Sequence, residues 1–375
     1  MNAARPKVPL LDLTRQYAGI RDEVVSEVGK VLESQRFILG EQGAALEREI
    51  AEALGAAHAV GVSSGTDALL AALMALDVRA GDEVVVPAFS FFATAGVVAR
   101  LGAVPVFADV EPGTLTLSPE DFASKVTPRT RAVIPVHLYG QAADLDPILE
   151  IARRRGIRVV EDACQSIGAR YRDRAAGTFG DAGAFSFFPT KNLGAAGDAG
   201  LVTTEDPDLG ARLRRIRVHG MEPKYFHAEI GGNFRLDEIQ AAVLRVKLRR
   251  LAGWNRRRAE IAGEYRRLLA GPAAAGKLAL PVVGAGRDHI YHQYVIRVPE
   301  RDAVRARLTA AGVGCEVYYP VPLHLQECFR SLGGRPGDLP VSERAAEEVL
   351  ALPIWPELSG TEIAAVAAAV SEAVS

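Results

Sequence analysis

The chain has 375 residues, 44 of them basic and 46 acidic, for a formal charge of −2 with histidine neutral. Hydrophobic residues make up 49 % and charged residues 24 %, which excludes a collagen, a disordered tail and a polycationic nucleic-acid binder. At roughly 150 residues per domain the length allows two or three domains with ample core.

The opening MNAARPKVPLLDLTRQYAG lacks the apolar core of a signal peptide, so a cytoplasmic protein is expected. Residues 21–54 read as amphipathic helix, VVSEVGKVLES then ALEREIAEALG, with RFILGE between. From residue 58 onward short β-rich runs alternate with helical patterns. The strand candidates are 59–62, 83–87, 104–108, 132–137, 157–161, 182–187 and 199–204. The helices between them are TDALLAALMAL, FFATAGVVARL and DLDPILEIARRR. Strands apolar throughout and separated by helices imply a parallel sheet covered on both faces. The apolar stretch 84–108 is long enough to raise a membrane span. Pro87, Arg100 and Pro105 divide it into strand, helix and strand instead, so no membrane association is expected.

Next come DLGARLRRIRVHG and the irregular loop MEPKYFHAEIGGNF. A long helical pattern over 235–269 resembles a linking helix, and the Ala/Gly/Pro-rich stretch 270–286 has linker composition. A smaller α+β segment closes the chain: strand 292–298, helix 301–312, strand 315–320 and two terminal helices. Cys164, Cys315 and Cys328 are irregularly spaced. No CxxC pair or Cys/His cluster gives metal-ligand spacing, so reduced thiols and no metal are expected.

Three segments carry chemistry. SSGTDA (63–68) follows a strand and opens a helix, where free N–H groups and small residues form an anion site, although a capped helix start is the commoner reason for such a segment. EDACQS (161–166) places an acid at the carboxyl end of a strand, where open α/β sheets bind ligands; a helix cap is the alternative. FSFFPTKNLG (185–194) sets Lys191 directly after an apolar aromatic strand. A lysine near an apolar wall can become a nucleophilic amine, although most lysines are exposed turn residues. Together the three supply what pyridoxal phosphate requires: donors for its phosphate, an acid for its ring nitrogen and an amine for its aldehyde.

On these residues the chain resembles the DegT/DnrJ/EryC1/StrS family of pyridoxal-phosphate nucleotide-sugar aminotransferases. Further stretches carry the likeness: RFILGE (36–41), GDEVVVPAFSFFATA (81–95), GGNFRLDEIQAA (231–242) and YYPVPLHLQ (318–326). The resemblance implies an α/β, aspartate-aminotransferase-like (type I) fold with a mostly parallel central sheet. It implies a large cofactor-binding domain over 1–250 and a small α+β domain over 251–375. By the same resemblance Lys191 is the Schiff-base lysine, Asp162 pairs with the pyridine nitrogen and Gln165 reaches the ring hydroxyl. Gly65, Thr66 and Ser186 bind the phosphate, and Phe91 lies against the ring. Asn233 reaches the phosphate from a second subunit, so a homodimer with shared active sites is implied.

The implied reaction moves an amino group from L-glutamate to a ketone of a nucleotide-linked sugar. The loop with His219, Tyr225 and His227 resembles relatives that aminate C3, on dTDP-3-keto-6-deoxyhexoses or UDP-2-acetamido-3-keto sugars, more than those that aminate C4. Tyr318, Tyr319 and His324 fall where the family lines its sugar site. Arg235 matches an anionic group of the substrate or a charged helix start. Relatives acting on C6-carboxylate sugars carry histidine near Tyr318 or Tyr319, which counts against a uronate. Dehydratases of the family have histidine in place of Lys191, and a regulatory protein would have no need of Lys191, Asp162 and Ser186 together.

Overall fold

The computed structural model describes residues 7–375. In chain order the elements begin with α1 (Leu13–Ala18), α2 (Arg21–Ser34), α3 (Glu41–Leu54), β1 (His58–Val62), α4 (Gly65–Ala75) and β2 (Glu83–Pro87). They continue with α5 (Ala93–Arg100), β3 (Val104–Ala108), α6 (Pro119–Lys125), β4 (Thr130–Val133), α7 (Leu145–Arg155) and β5 (Arg158–Asp162). A small hairpin, β6 (Arg170–Tyr171) and β7 (Arg174–Ala175), precedes β8 (Ala182–Ser186), β9 (Gly200–Thr204) and α8 (Pro207–Ile216). Then come α9 (Glu238–Leu268), α10 (Ala270–Ala274), β10 (Tyr294–Arg297), α11 (Arg301–Ala310), α12 (Pro340–Glu348), β11 (Val349–Leu352) and α13 (Gly360–Ala373).

Seven strands form one sheet in the order β1-β9-β8-β5-β4-β2-β3. Alternate residues face opposite sides, and both sides are covered. Val84 and Val86 join the cluster under α4, α5 and α8, while Val85 packs with Phe122 and Ile148 on the other face. Likewise Val202 and Ala184 belong to the first side, and Leu201 and Phe185 pack with Leu46 and Leu244 beneath α3 and α9. The stretch 84–108 folds as strand, helix and strand, with both strands in the sheet. Among the described residues no helix is long and apolar enough to cross a membrane.

The expectation of a parallel sheet needs one correction. β9 runs antiparallel to both β8 and β1. A parallel return requires a crossover, usually helical. The segment between β8 and β9 holds no helix, being taken up by the turn that carries Lys191. The strand expected over 132–137 ends at Val133, because Pro135 has no N–H to continue a ladder; a single bridge joins Val136 to Asp162.

The 315–320 stretch is not a strand. One bridge joins Glu316 to Ala351, and the Tyr318 carbonyl accepts from the Tyr139 hydroxyl instead of a neighbouring strand. The partner of β10 is β11, which lies unannounced between the last two helices. Around this pair Ile296, Leu308, Leu350, Trp355, Val366 and Val370 pack together, joined by Val8 and by Tyr265 of α9.

Some helix ends are satisfied from far along the chain. α3 has no local side-chain cap. Its first N–H groups, from Gly40, Gln42 and Gly43, donate to the buried Glu238 carboxylate at 2.7–2.9 Å. A Cβ at Gly40 would lie 2.7 Å from that carboxylate, so a side chain there would have to displace it.

Candidate active site

The carboxyl ends of β2, β4, β5 and β8 converge, which is where open α/β sheets collect ligands. β5 ends on Asp162, which is buried. Thr94 Oγ1, from α5, donates to its Oδ2 at 2.8 Å, and the Cys164 N–H donates to Oδ1 at 3.2 Å. With its one proton committed to Asp162, Thr94 must accept from Ser90 Oγ in their 3.0 Å contact.

The preceding residue, Glu161, is fully buried and faces the opposite way. Its carboxylate accepts from His137 Nε2 at 2.9 Å and from the N–H groups of Gly177, Phe179 and Gly180 at 2.6–2.8 Å. The Ala143 N–H donates to His137 Nδ1, so the imidazole proton lies on Nε2. Burial pushes the Glu161 carboxyl up, but these donors outweigh it and hold the group below its ordinary value.

Lys191 follows β8 in a tight turn, its N–H bonded to the Phe188 carbonyl at 2.8 Å. Burial lowers its ammonium from the ordinary lysine value, while the nearby Cys164 and Asp162 act in the opposite sense. The Cys164 thiol is itself pushed well up, by burial first and then by the Asp162 charge. Ser186 ends β8 and lies against the start of α4. There Ser64 caps the helix through the Asp67 N–H at 3.0 Å. Gly65 and Thr66 hold the first two helical positions, whose N–H groups have no intrahelical acceptor.

Gln165 is fixed in orientation. Its Oε1 accepts from the Tyr139 N–H at 2.7 Å, and its Nε2 donates to the Tyr319 hydroxyl at 3.1 Å. Burial raises the Tyr319 phenol, so it remains a protonated donor. The Tyr319 ring sits 6.0 Å from that of Phe91, which is 53 % exposed, and 6.3 Å from Phe89. Tyr318 precedes it across a cis peptide bond. Gly65, Thr66, Phe91, Asp162, Gln165, Ser186, Lys191, Tyr318 and Tyr319 therefore form one neighbourhood.

The other expected residues lie elsewhere on the chain. His219, Tyr225 and His227 occupy the exposed 219–230 loop, where His227 Nδ1 meets the His219 carbonyl at 2.9 Å and Lys224 lies 5.0 Å over the Tyr225 ring. Arg212 and Arg215 of α8 anchor this loop through Glu229 at 2.7 and 3.3 Å. Asn233 is exposed and bridges Val218 through its backbone, and Arg235 is half-buried with Nε unpaired. His324 is buried in a separate set of contacts, with Glu343 at 3.2 Å and the Phe107 ring at 6.4 Å. Thr94, His137, Tyr139 and Asn192 were not singled out by the sequence. A lone hydroxyl in the apolar FFATAGVVARL pattern was the one available signal, and it pointed to Thr94.

A profile of the DegT/DnrJ/EryC1/StrS aminotransferase family matches residues 19–371. A pleiotropic regulatory protein from Geobacillus stearothermophilus is 49 % identical, over 94 % of each chain. A UDP-N-acetyl-3-dehydro-alpha-D-glucosamine 3-aminotransferase from Acidithiobacillus ferrooxidans is 46 % identical, over 96 % of each chain. A dTDP-3-amino-3,4,6-trideoxy-alpha-D-glucose transaminase from Streptomyces venezuelae is 44 % identical, over 99 % of this chain and 97 % of the other. The crystal structure of S. venezuelae DesV in complex with a ketimine intermediate superposes with a TM-score of 0.95 at 43 % identity, covering 98 % of this chain and 99 % of that one. NtdA from Bacillus subtilis, with bound cofactor PMP, gives 0.92 at 31 % identity, covering 100 % and 86 %.

Proposed function

Because the chain belongs to the DegT/DnrJ/EryC1/StrS aminotransferase family, we propose that it moves an amino group from L-glutamate to the C3 ketone of a nucleotide-linked sugar, using pyridoxal phosphate. The observation that carries this reading is Lys191 with its ammonium destabilised by burial, beside the buried Asp162. Relatives named for 3-amination of UDP- and dTDP-sugars, at 46 % and 44 % identity over nearly the whole chain, support the choice of carbon.

The residues present fit the cofactor. Gly65 leaves a cradle that a β-carbon would fill, against Ser186 and Cys164. The free N–H groups of Gly65 and Thr66, with the Ser186 hydroxyl, suit a phosphate. When bound, the cofactor supplies an aldehyde that takes up amines and a ring that withdraws electrons. Asp162, steadied by Thr94 and the Cys164 N–H, offers its carboxylate to the ring nitrogen. Gln165 has a second Nε2 proton for the ring hydroxyl, since the first serves Tyr319. Phe91 would lie against the ring. Lys191 Nζ, as a free amine, accepts a proton from carbon and returns it one position along. Burial favours the free amine and so enlarges the fraction ready to act.

We read Tyr318 and Tyr319 as part of the sugar site, and His324 as support beneath it. His219, Tyr225, His227, Asn233 and Arg235 are proposed to complete the site of a second subunit in a homodimer, which accounts for the exposure of the first four. A cytoplasmic location and a division into large and small domains near residue 250 belong to the same proposal. A regulatory role without turnover would fit the name of the Geobacillus relative, yet it has no use for a half-buried lysine beside a buried aspartate.

The test is a panel of dTDP- and UDP-linked 3-keto and 4-keto sugars with L-glutamate, scored by product mass and by the position of the new amine. A 3-amino product is expected. An exclusive 4-amino product overturns the carbon assignment, and no amination of any sugar overturns the activity.

A further inference from the structure

Asn192, next to Lys191, is buried, and its amide is oriented by a chain of one-way hydrogen bonds. Asn255 on α9 donates Nδ2–H to the Ile167 carbonyl at 3.1 Å, and a carbonyl can only accept. The Asn255 Oδ1 is thereby the acceptor for Asn192 Nδ2 at 2.8 Å, which also reaches the Ile290 carbonyl at 3.3 Å. Asn192 Oδ1 is left facing His292 Nδ1 at 3.3 Å. An amide oxygen has no proton to give, so Nδ1 carries the ring proton and Nε2 is a bare lone pair.

The frame around this chain is stiff. Arg258 donates to the carbonyls of Tyr291, His292 and Ile354 at 2.9–3.3 Å, which fixes the His292 backbone. Gly168, at φ +87°, approaches Asn255 so closely that a Cβ would lie 2.8 Å from its Nδ2. His292 is within electrostatic reach of Lys191 and of Arg258, which is itself faced by Glu357. Asp162 and Cys164 face Lys191 from the other side. Burial, with the two neighbouring cations, keeps the imidazole far below its ordinary value and therefore neutral.

Resting on the reading of Lys191 above, we infer that His292 is a positioning residue for that lysine: its Nδ1–H, given to Asn192 Oδ1, fixes the turn that carries Lys191.

The experiment uses the cofactor-free protein, so its outcome is separate from that of the amination assay. Two-bond ¹⁵N–¹H spectra resolve the seven histidines, and loss of one signal in His292→Gln assigns residue 292. The expected pattern is protonated Nδ1 and bare Nε2, unchanged from about pH 8 to about pH 5. A protonated Nε2, or titration near the ordinary midpoint of about 6.5, overturns the inference. The wild-type spectrum alone decides this point, so it stands even where a variant fails to fold. ¹³C-methylation then reports the seven lysines, with Lys191→Ala assigning residue 191. His292→Leu raises the Lys191 midpoint by about one pH unit toward the ordinary value, because the turn loses the donor to Asn192 Oδ1 and water reaches the amine, while His292→Gln keeps an amide N–H donor and stays within about 0.3 unit. Equal midpoints in wild type and His292→Leu would leave His292 no positioning role.

Discussion

Gly65 and Ser186 meet so closely that a β-carbon on the glycine would sit 2.5 Å from Ser186 Cβ and 2.8 Å from the Cys164 sulfur. The start of α4 and the end of β8 are pressed together at the point proposed to hold a phosphate. Gly65→Ala therefore has to push Ser186 aside. Its expected effect is at least tenfold weaker cofactor retention, from the loss of about 1.4 kcal/mol or more of phosphate contacts. Equilibrium dialysis of cofactor from the variant measures it, and unchanged retention removes the phosphate from this corner.

Thr94 gives its only proton to Asp162. Thr94→Val keeps the shape and deletes the donor, leaving Oδ2 short of a partner in a buried place. A loss of about 1–3 kcal/mol in stability is expected from the unsatisfied acceptor, seen as a lower denaturant midpoint. Turnover should fall with it, since the carboxylate is then free to turn. Thr94→Ser, which restores the hydroxyl, should recover most of both.

Acid should act through the far end of the chain. Arg15 on α1 forms two hydrogen bonds to Glu362 on α13, at 2.7 and 2.9 Å. Chiefly through these bonds the Glu362 carboxyl falls from its ordinary 4.5 to about 2. The unfolded chain binds the proton more readily, so the stabilisation is complete above about pH 4.5 and fades as the pH drops toward 2. Glu362→Gln lacks it. The variant should melt below wild type at pH 7, with the gap closing across that interval. A gap independent of pH would assign the loss to packing.

The shared-site proposal has a direct genetic form. Lys191→Ala and Asn233→Ala should each be nearly inactive, about 10²-fold down or more. Co-expressed, they should regain activity, because one site of the mixed dimer takes its lysine from one chain and its asparagine from the other. If Asn233 serves its own subunit, the mixture stays as inactive as its parts.

How much of this can be read from the residues alone depends on distance along the chain. Lys191 and Asp162 announce themselves because each ends or follows an apolar strand, where a charge needs a reason. The alternation of Val84, Val85 and Val86 places both sheet faces in the core without further information. The reversal of β9 was hidden, because AGLVTT has the same apolar pattern in either direction. Thr94 and Asp162 are 68 residues apart, and Asn192 and His292 are 100 apart. No local pattern joins such pairs; only the topology does. The 315–320 run has every mark of a strand, and its fate was settled by a tyrosine hydroxyl 179 residues away.

Asn255 and Arg258 stand three positions apart on α9 and so project from a common face. One grips the turn after β8, the other the chain at 291, 292 and 354. That makes the long helix a lever with two claws. Both the turn beneath residue 191 and the chain entering β10 and leaving β11 are thereby anchored on a single helix.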